Sequence, residues 1–571
     1  MKEPVPPGDN PGDEQKREDL MEWLKRLLGG NGRGEGKLAP PPPPTMVNGF
    51  PAPWVDGRPS LFGYLASFPL EPGGRLPEAA ATLPDEEAVV SRSGSDLRWA
   101  AGAADGVLSH HVGHAEPDSA DKVLHMLEAA LNTPTPEHVK DFYDFVTEGE
   151  VMRLADALLT AVRGSREIDA GRLHAFARWL VCESPDRGPV KMGIALLGLI
   201  RPPQETEVLL RLGLHDEFTL YASVALSNTL PPAEGEEALW NLARRVDGWG
   251  RIHLVERLAG TAQPAIRAWL LREGYRNSVM NEYLAHACAT GGGLLAALQA
   301  AEVDAPLLAG AGELIQALLR GGPAADISDY DDGAQAVVRY LAHVASQASP
   351  PLATYLAVAD IADFVDDAER TWEPLEAIGW TPAHRERVRD AAARILSAPH
   401  WPELVRAALG DTDPDAFWVA STAAERMGLD IWETRFARQR DGTGEQWFEL
   451  MRTNDAERVE RVVALARERL DLPAIATGPA NEMGFGAAFE NHRALDFVLQ
   501  ALGVFPGQGW PLVEAGLRSP VIRNRHMAVG ALEGWGRAQW PDAAPALLSQ
   551  AQREEPDDRV RERMTALLAA S

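Results

Sequence analysis

Apolar residues recur along this chain at three- and four-residue intervals, the spacing of a helix that buries one face. The clearest stretch runs from Trp510 to Ser571. There Ser519-Pro-Val-Ile-Arg-Asn-Arg-His-Met-Ala-Val-Gly-Ala-Leu532 is echoed by Asp557-Asp-Arg-Val-Arg-Glu-Arg-Met-Thr-Ala-Leu-Leu568. Superposing Ile522-Arg523 on Val560-Arg561 also aligns Arg525 with Arg563, Ala528 with Ala566 and Val529 with Leu567, an offset of 38 residues. Each copy follows an apolar helix opened by Trp-Pro, at Trp510-Pro511 and Trp540-Pro541. A period of this size with two helices per unit predicts an all-α chain, an α-solenoid of antiparallel helix pairs.

The same periodicity divides the rest of the chain. Residues 118–571 read as one right-handed helical-repeat solenoid of roughly a dozen units, with a possible break near 321–333. Asp118–Leu131, Val190–Ile200, Asp216–Leu230, Glu236–Val246, Arg251–Leu258 and Pro264–Leu271 are predicted helices, bounded by Gly and Pro turns. Residues 46–117 carry too many Pro and Gly for long helices and read as an irregular N-terminal cap. Within them Glu87–Arg92 reads as a possible lone strand and Asp96–Val112 as a weak first helix. Residues 1–45 read as a disordered tail with one short amphipathic helix, 18–28, followed by a Gly/Pro tether that includes five prolines at 40–44. Leu20, Trp23, Leu24 and Leu27 share one face of that helix. They predict docking on a partner or back on the solenoid, and removal of 1–45 is expected to leave the melting temperature nearly unchanged.

Composition narrows the partners. A net charge of −28 opposes binding to nucleic acid or to an anionic membrane surface and leaves basic partners or cationic ligands open. Two cysteines, Cys182 and Cys288, are too few for a disulfide framework or a Cys-rich zinc site. No run of 18 apolar residues and no apolar leader segment is present, so the expected location is the cytoplasm.

Candidate chemistry is sparse. His110, His114, Asp121 and His125 form the best metal-ligand spacing, two pairs each four residues apart, but Gly113 and Pro117 interrupt the helix and a solvated His-rich loop is the reading preferred. Gly442-Thr-Gly444 and Gly484-Phe-Gly486 lack the third glycine and the preceding strand of a dinucleotide site. Asp326–Gly333 fails the calcium-loop pattern at its glycine and glutamate positions. With Asp360, Asp363 and Asp367 its acids suggest an acidic ridge or a solvated face. Several of the 16 tryptophans precede proline at predicted helix starts, where they clamp the first turn; an aromatic ligand groove is the alternative. No cofactor is predicted.

Two resemblances sit on these residues. The Val-Arg helix with its shorter partner resembles HEAT-like or armadillo-like repeats, which implies a non-catalytic scaffold that binds a protein or peptide. It also implies a structural ladder in which Arg523 and Arg561 pair with acids of neighbouring repeats, Asp557 and Asp558 among them, while Arg525→Ala has little effect. The block from Leu495-Asp-Phe-Val-Leu-Gln-Ala-Leu-Gly-Val-Phe-Pro-Gly507 through Ser519–Ala528 to Gly534-Trp535 resembles bacterial proteins labelled limonene hydroxylase. That resemblance implies an oxidoreductase performing NAD-linked monoterpene oxidation. The matching positions are helix-packing residues, and the chain holds no flavin, haem, non-haem iron or dinucleotide signature.

Overall fold

A computed structural model describes residues 46–54, 57–93, 98–111, 118–200, 205–322 and 324–569. Leu20, Trp23, Leu24 and Leu27 lie outside the described residues. Among the described residues strand structure is one two-residue pairing, Met46–Val47 against Phe50–Pro51, antiparallel with Met46 opposite Pro51. No helix among them is long and apolar enough to cross a membrane.

A row of helices packed in chain order forms the spine. Arg187–Leu197 packs on Asp216–Thr229, which packs on Gly248–Leu258, followed by Glu282–Gly292, Ala305–Arg320 and Leu352–Asp366. The last of these meets both Pro382–Leu396 and Pro414–Arg426. Shorter helices, Thr206–Leu212, Pro232–Ala243 and Pro264–Trp269, flank successive spine members. A spine helix therefore has neighbours on three sides. Asp216–Thr229 accordingly buries Glu217, Phe218, Thr219, Leu220, Tyr221, Ala222 and Ser223 in succession, a wrap-around burial that leaves no single apolar stripe. The chain is an all-α solenoid, in which each unit buries its surface on the next.

Helix starts follow local chemistry. Thr135, Asp169, Asp304, Thr381 and Asp455 each accept a backbone N–H from the first turn of the helix they precede. Trp401-Pro402 opens Trp401–Ala408, with the Trp401 ring fully buried and its Nε1 donating to the Ile395 carbonyl at 2.7 Å. Trp510-Pro511 likewise opens Trp510–Leu517, whereas Trp540-Pro541 opens no helix: the one expected there begins only at Ala544, after a turn.

Four expectations need correction. Glu87–Arg92 belongs to the helix Glu86–Ser93, not to a strand. Its β-branched pair is overridden because Asp85 and Glu86 must reach Arg187. The helix expected over Asp96–Val112 begins only at Ala103, after Gly102 turns the backbone at φ 71°. A Cβ there would sit 2.6 Å from the Asp216 carbonyl, so only glycine fits. The loop at 321–333 does not divide the core: Ile327 and Tyr330 are buried within it, and the described core instead splits into one cluster ending at Ile431 and a second beginning at Trp432.

The fourth correction concerns the repeat register. Val521 and Val560 are the buried valines, and Arg525 falls at the fully buried place held by Met564, an offset of 39 residues, one more than the sequence match implies. Arg525, not Arg523, is therefore the buried arginine, and it pairs with Glu555. Arg523 is half exposed and reaches back to Asp496 of the helix Glu490–Leu499. Arg561 pairs within its own helix with Asp558 and donates to the Glu555 carbonyl at 2.8 Å.

Candidate functional site

Three polar constellations stand out, and the chemistry open to each is decided by whether its groups are already satisfied. The densest lies where the N-terminal segment crosses the spine. Lys191 is buried and donates to Asp105 at 2.7 Å and Glu217 at 2.5 Å. Arg187 grips Asp85 at 2.9 Å and Glu86 at 2.6 Å and lies 3.7 Å from Glu217, whose second oxygen accepts the Gly102 amide at 3.0 Å. Burial acts to raise the Glu217 carboxyl, but Lys191, Arg187 and the Gly102 amide outweigh it and hold the group at about 2. His215 is pushed down by burial; its Nε2 faces the Ala81 carbonyl at 3.2 Å and its Nδ1 receives the Glu217 amide at 3.3 Å. Every charge there has a partner. The cluster fastens residues 85–93 and 98–105 to the solenoid, and among the described residues it leaves no charged group without a partner.

The second constellation resembles a nucleophile with its base. His492 Nδ1 lies 3.1 Å from Ser519 Oγ and 2.9 Å from Asn524 Oδ1, with Asp496 2.6 Å from Asn524 Nδ2. Ser519 is fully buried and His492 nearly so. The serine also caps the Val521 amide at 3.1 Å. No reacting atom can approach it, so this network is a helix-joining element.

The third constellation is open. At the boundary between the two cores, a cleft of about 470 Å³ is walled by Pro414–Arg426 on one side and by Trp432–Asp441 with Trp447–Met451 on the other. Helical spacing puts Phe417, Trp418, Ser421, Thr422 and Glu425 on the wall, at the i, i+1, i+4, i+5 and i+8 positions of one face. Phe417 turns inward and is 4 % exposed, while Trp418 stands 59 % exposed and Phe448 across the cleft 43 %. Phe448 meets Phe497 edge-on at 5.8 Å. Glu425 bonds Arg435 at 2.7 Å, and Arg438 lies on the Phe417 ring at 4.0 Å while donating to the Asp411 carbonyl at 2.6 Å. Beneath the rings, Ser421 is 4 % exposed and its Oγ has no hydrogen-bond partner among the described residues. The two exposed rings, set on opposite walls of a concave site, are what make this cleft the candidate for binding.

Of the proposed metal ligands His110, His114, Asp121 and His125, only Asp121 and His125 have described side chains. His114 and the His110 side chain lie outside the described residues. Asp121 and His125 are exposed, and His125 Nδ1 bonds the Asp121 carbonyl at 2.6 Å, one helical turn away. Among the described residues no three His, Cys, Asp or Glu side chains converge. Within the acidic ridge, Asp360 bonds Arg426 at 2.7 Å and Asp363 pairs with the same guanidinium, so these acids clamp Leu352–Asp366 to Pro414–Arg426. Thr443 and Gly444 form part of the cleft wall, and Gly442 before them ends its helix at φ 72°. Burial raises the Cys288 thiol far above its ordinary range, and it raises Cys182 to about 11, so neither is a ready nucleophile at neutral pH.

Sequence reasoning missed the cleft because it attended to tryptophans before proline. Trp418 and Trp447 are not followed by proline. The available signal was a tryptophan beside the core-facing Phe417, on the outward edge of a helix that turns its alanines inward.

Comparisons with known proteins add little. No family model matches this chain, and no curated protein matches it. Among solved structures, an engineered protein aligns over 80 % of this chain and 98 % of its own at 16 % identity, with a TM-score of 0.20. A similarity of that size carries no argument about fold or function.

Proposed function

We propose that this chain is a non-catalytic, cytoplasmic interaction scaffold of the HEAT-like type, docking a segment of a protein or peptide in the cleft between its two cores. The observation that carries the reading is the cleft itself, with Trp418 and Phe448 exposed on facing walls. Large rings held by rigid helices are the side chains that contribute most per residue at protein interfaces. The acidic balance of the chain favours a basic partner and disfavours polyanions. The two other polar clusters are closed by their own bonds, which supports binding over catalysis. The test is affinity capture from lysate, quantified for wild type against Trp418→Ala/Phe448→Ala. Proteins retained by wild type and released by the double variant support the reading; an identical capture profile refutes it.

A further inference from the structure

Resting on that reading, we infer that the cleft recognises a lysine or arginine side chain of a basic, extended peptide, with the alkyl stem over Trp418 and Phe448 and the charged head toward Asp411, Asp413 and Asp415. The argument begins with the other rings of this region. Arg438 lies over Phe417 at 4.0 Å, Arg461 over Trp432 at 4.6 Å and Phe436 at 4.3 Å, and Arg458 over Trp432 at 5.1 Å. Three rings around this boundary, Phe417, Trp432 and Phe436, are thus covered by guanidinium groups supplied by the chain. Trp418 and Phe448, the two exposed rings, have no cation over them among the described residues.

The neighbouring arginines cannot serve. Arg435 is held between Glu425 at 2.7 Å and Glu449 at 3.6 Å. Arg438 is committed to Phe417 and to the carbonyls of Asp411 and Thr443. The place above the exposed rings is thus left for a cation from outside.

Negative charge beside it is available. Asp411, Asp413 and Asp415 are exposed and make no ion pair among the described residues, and Pro414 between them lines the cleft. Arg438 ties the Asp411 backbone to the cleft wall, so the acidic turn sits beside the rings. A cation there gains both ring-face attraction and carboxylate attraction, whereas an uncharged side chain gains only the first contact area.

The test is fluorescence anisotropy with short labelled Gly/Ser peptides bearing lysine, norleucine or glutamate at the same positions. The lysine peptide is expected to bind about tenfold more tightly than the norleucine one and to lose about tenfold on Trp418→Ala. Trp418→Phe restores much of the binding, and Asp411→Asn with Asp413→Asn and Asp415→Asn weakens it while keeping the turn's hydrogen bonds. Circular dichroism confirms that each variant is folded. Equal binding of lysine and norleucine peptides overturns the inference, as does lysine binding that ignores Trp418→Ala, which would report only the overall negative charge. Failure of every peptide also overturns it. If lysate capture still depends on Trp418 in that case, docking stands and cation recognition alone falls.

Discussion

Arg525 and Glu555 form a two-pronged ion pair from which water is fully excluded. Both side chains have no exposed surface, with Nε to Oε2 and Nη2 to Oε1 each at 2.7 Å. The remaining nitrogen donates to the carbonyls of Ser519 at 2.8 Å and Pro520 at 3.0 Å, so the guanidinium is satisfied on every side. Breaking such a pair strands a charge: Arg525→Ala is expected to destabilise by about 3–5 kcal/mol. Arg523→Ala should cost about 1–2 kcal/mol, because Asp496 keeps its bond to Asn524. Since Met564 holds the equivalent place in the next repeat, Arg525→Met/Glu555→Leu should recover most of the loss. Urea unfolding of the three variants checks the order; equal costs for Arg523→Ala and Arg525→Ala contradict the observed register.

Adjacent carboxylates at 216 and 217 make opposite contributions to stability with pH. Burial raises Asp216 from 3.8 to about 6 although the Gly250 amide donates to it at 2.7 Å. The folded chain therefore holds a proton that the unfolded chain releases between pH 4 and 6, and stability falls as pH rises through that window. Glu217, held at about 2 from 4.5, stabilises above pH 4.5, and that contribution is lost as pH falls toward 2. Asp216→Asn should raise the melting temperature at pH 7, by an amount worth at most about 3 kcal/mol, and remove the decline between pH 4 and 6. Calorimetry across pH 3–8 is the measurement. An unchanged pH profile in the variant would show that Asp216 is not the group responsible.

Lys191 neutralises two carboxylates that have little access to water. Burial works against its charge, yet Glu217 and Asp105 raise its proton affinity. Lys191→Met keeps the stem and removes the charge, leaving Asp105 without its ion-pair partner and Glu217 with Arg187 alone. The expected loss is about 3–5 kcal/mol, with residues 85–105 becoming the earliest site of limited proteolysis. Protease cleavage elsewhere first would show that this cluster does not fasten the N-terminal segment.

How far the chain could be read in advance varied with the kind of burial. Helices that face the core with one stripe, such as Pro136–Glu148 with Val139, Phe142, Tyr143 and Val146 inward, announce themselves by spacing. The all-α solenoid was legible from such helices and from their capped starts. Register was not, because Ile522 and Val521 are equally apolar and only packing tells which one is enclosed. Residues 85–105 misled for a related reason: their helices depend on Arg187, Lys191 and Glu217, about a hundred positions away. The cleft escaped because its two walls come from different cores, and because a solvent-facing tryptophan next to an inward-facing phenylalanine looks like ordinary apolar sequence.

That neighbouring pair supplies the sharpest prediction. Phe417 and Trp418 are adjacent, yet a step of one residue on a helix turns the side chain by about 100 degrees. Phe417 is enclosed in the first core with Arg438 on its face, whereas Trp418 stands mostly in water. Phe417→Ala removes buried ring surface and leaves a cavity, with an expected loss of about 3–5 kcal/mol. Trp418→Ala removes a ring that stays 59 % exposed, so its effect should stay within about 1 kcal/mol. Ser421→Ala, which deletes a buried hydroxyl without a partner, should be neutral or slightly stabilising. Such a pattern, in which an exposed aromatic and an unsatisfied hydroxyl contribute nothing to stability, is the one expected of residues kept for binding. Thermal unfolding of the three single variants decides the matter: a large destabilisation by Trp418→Ala would place that ring in the core and withdraw the cleft as a docking site.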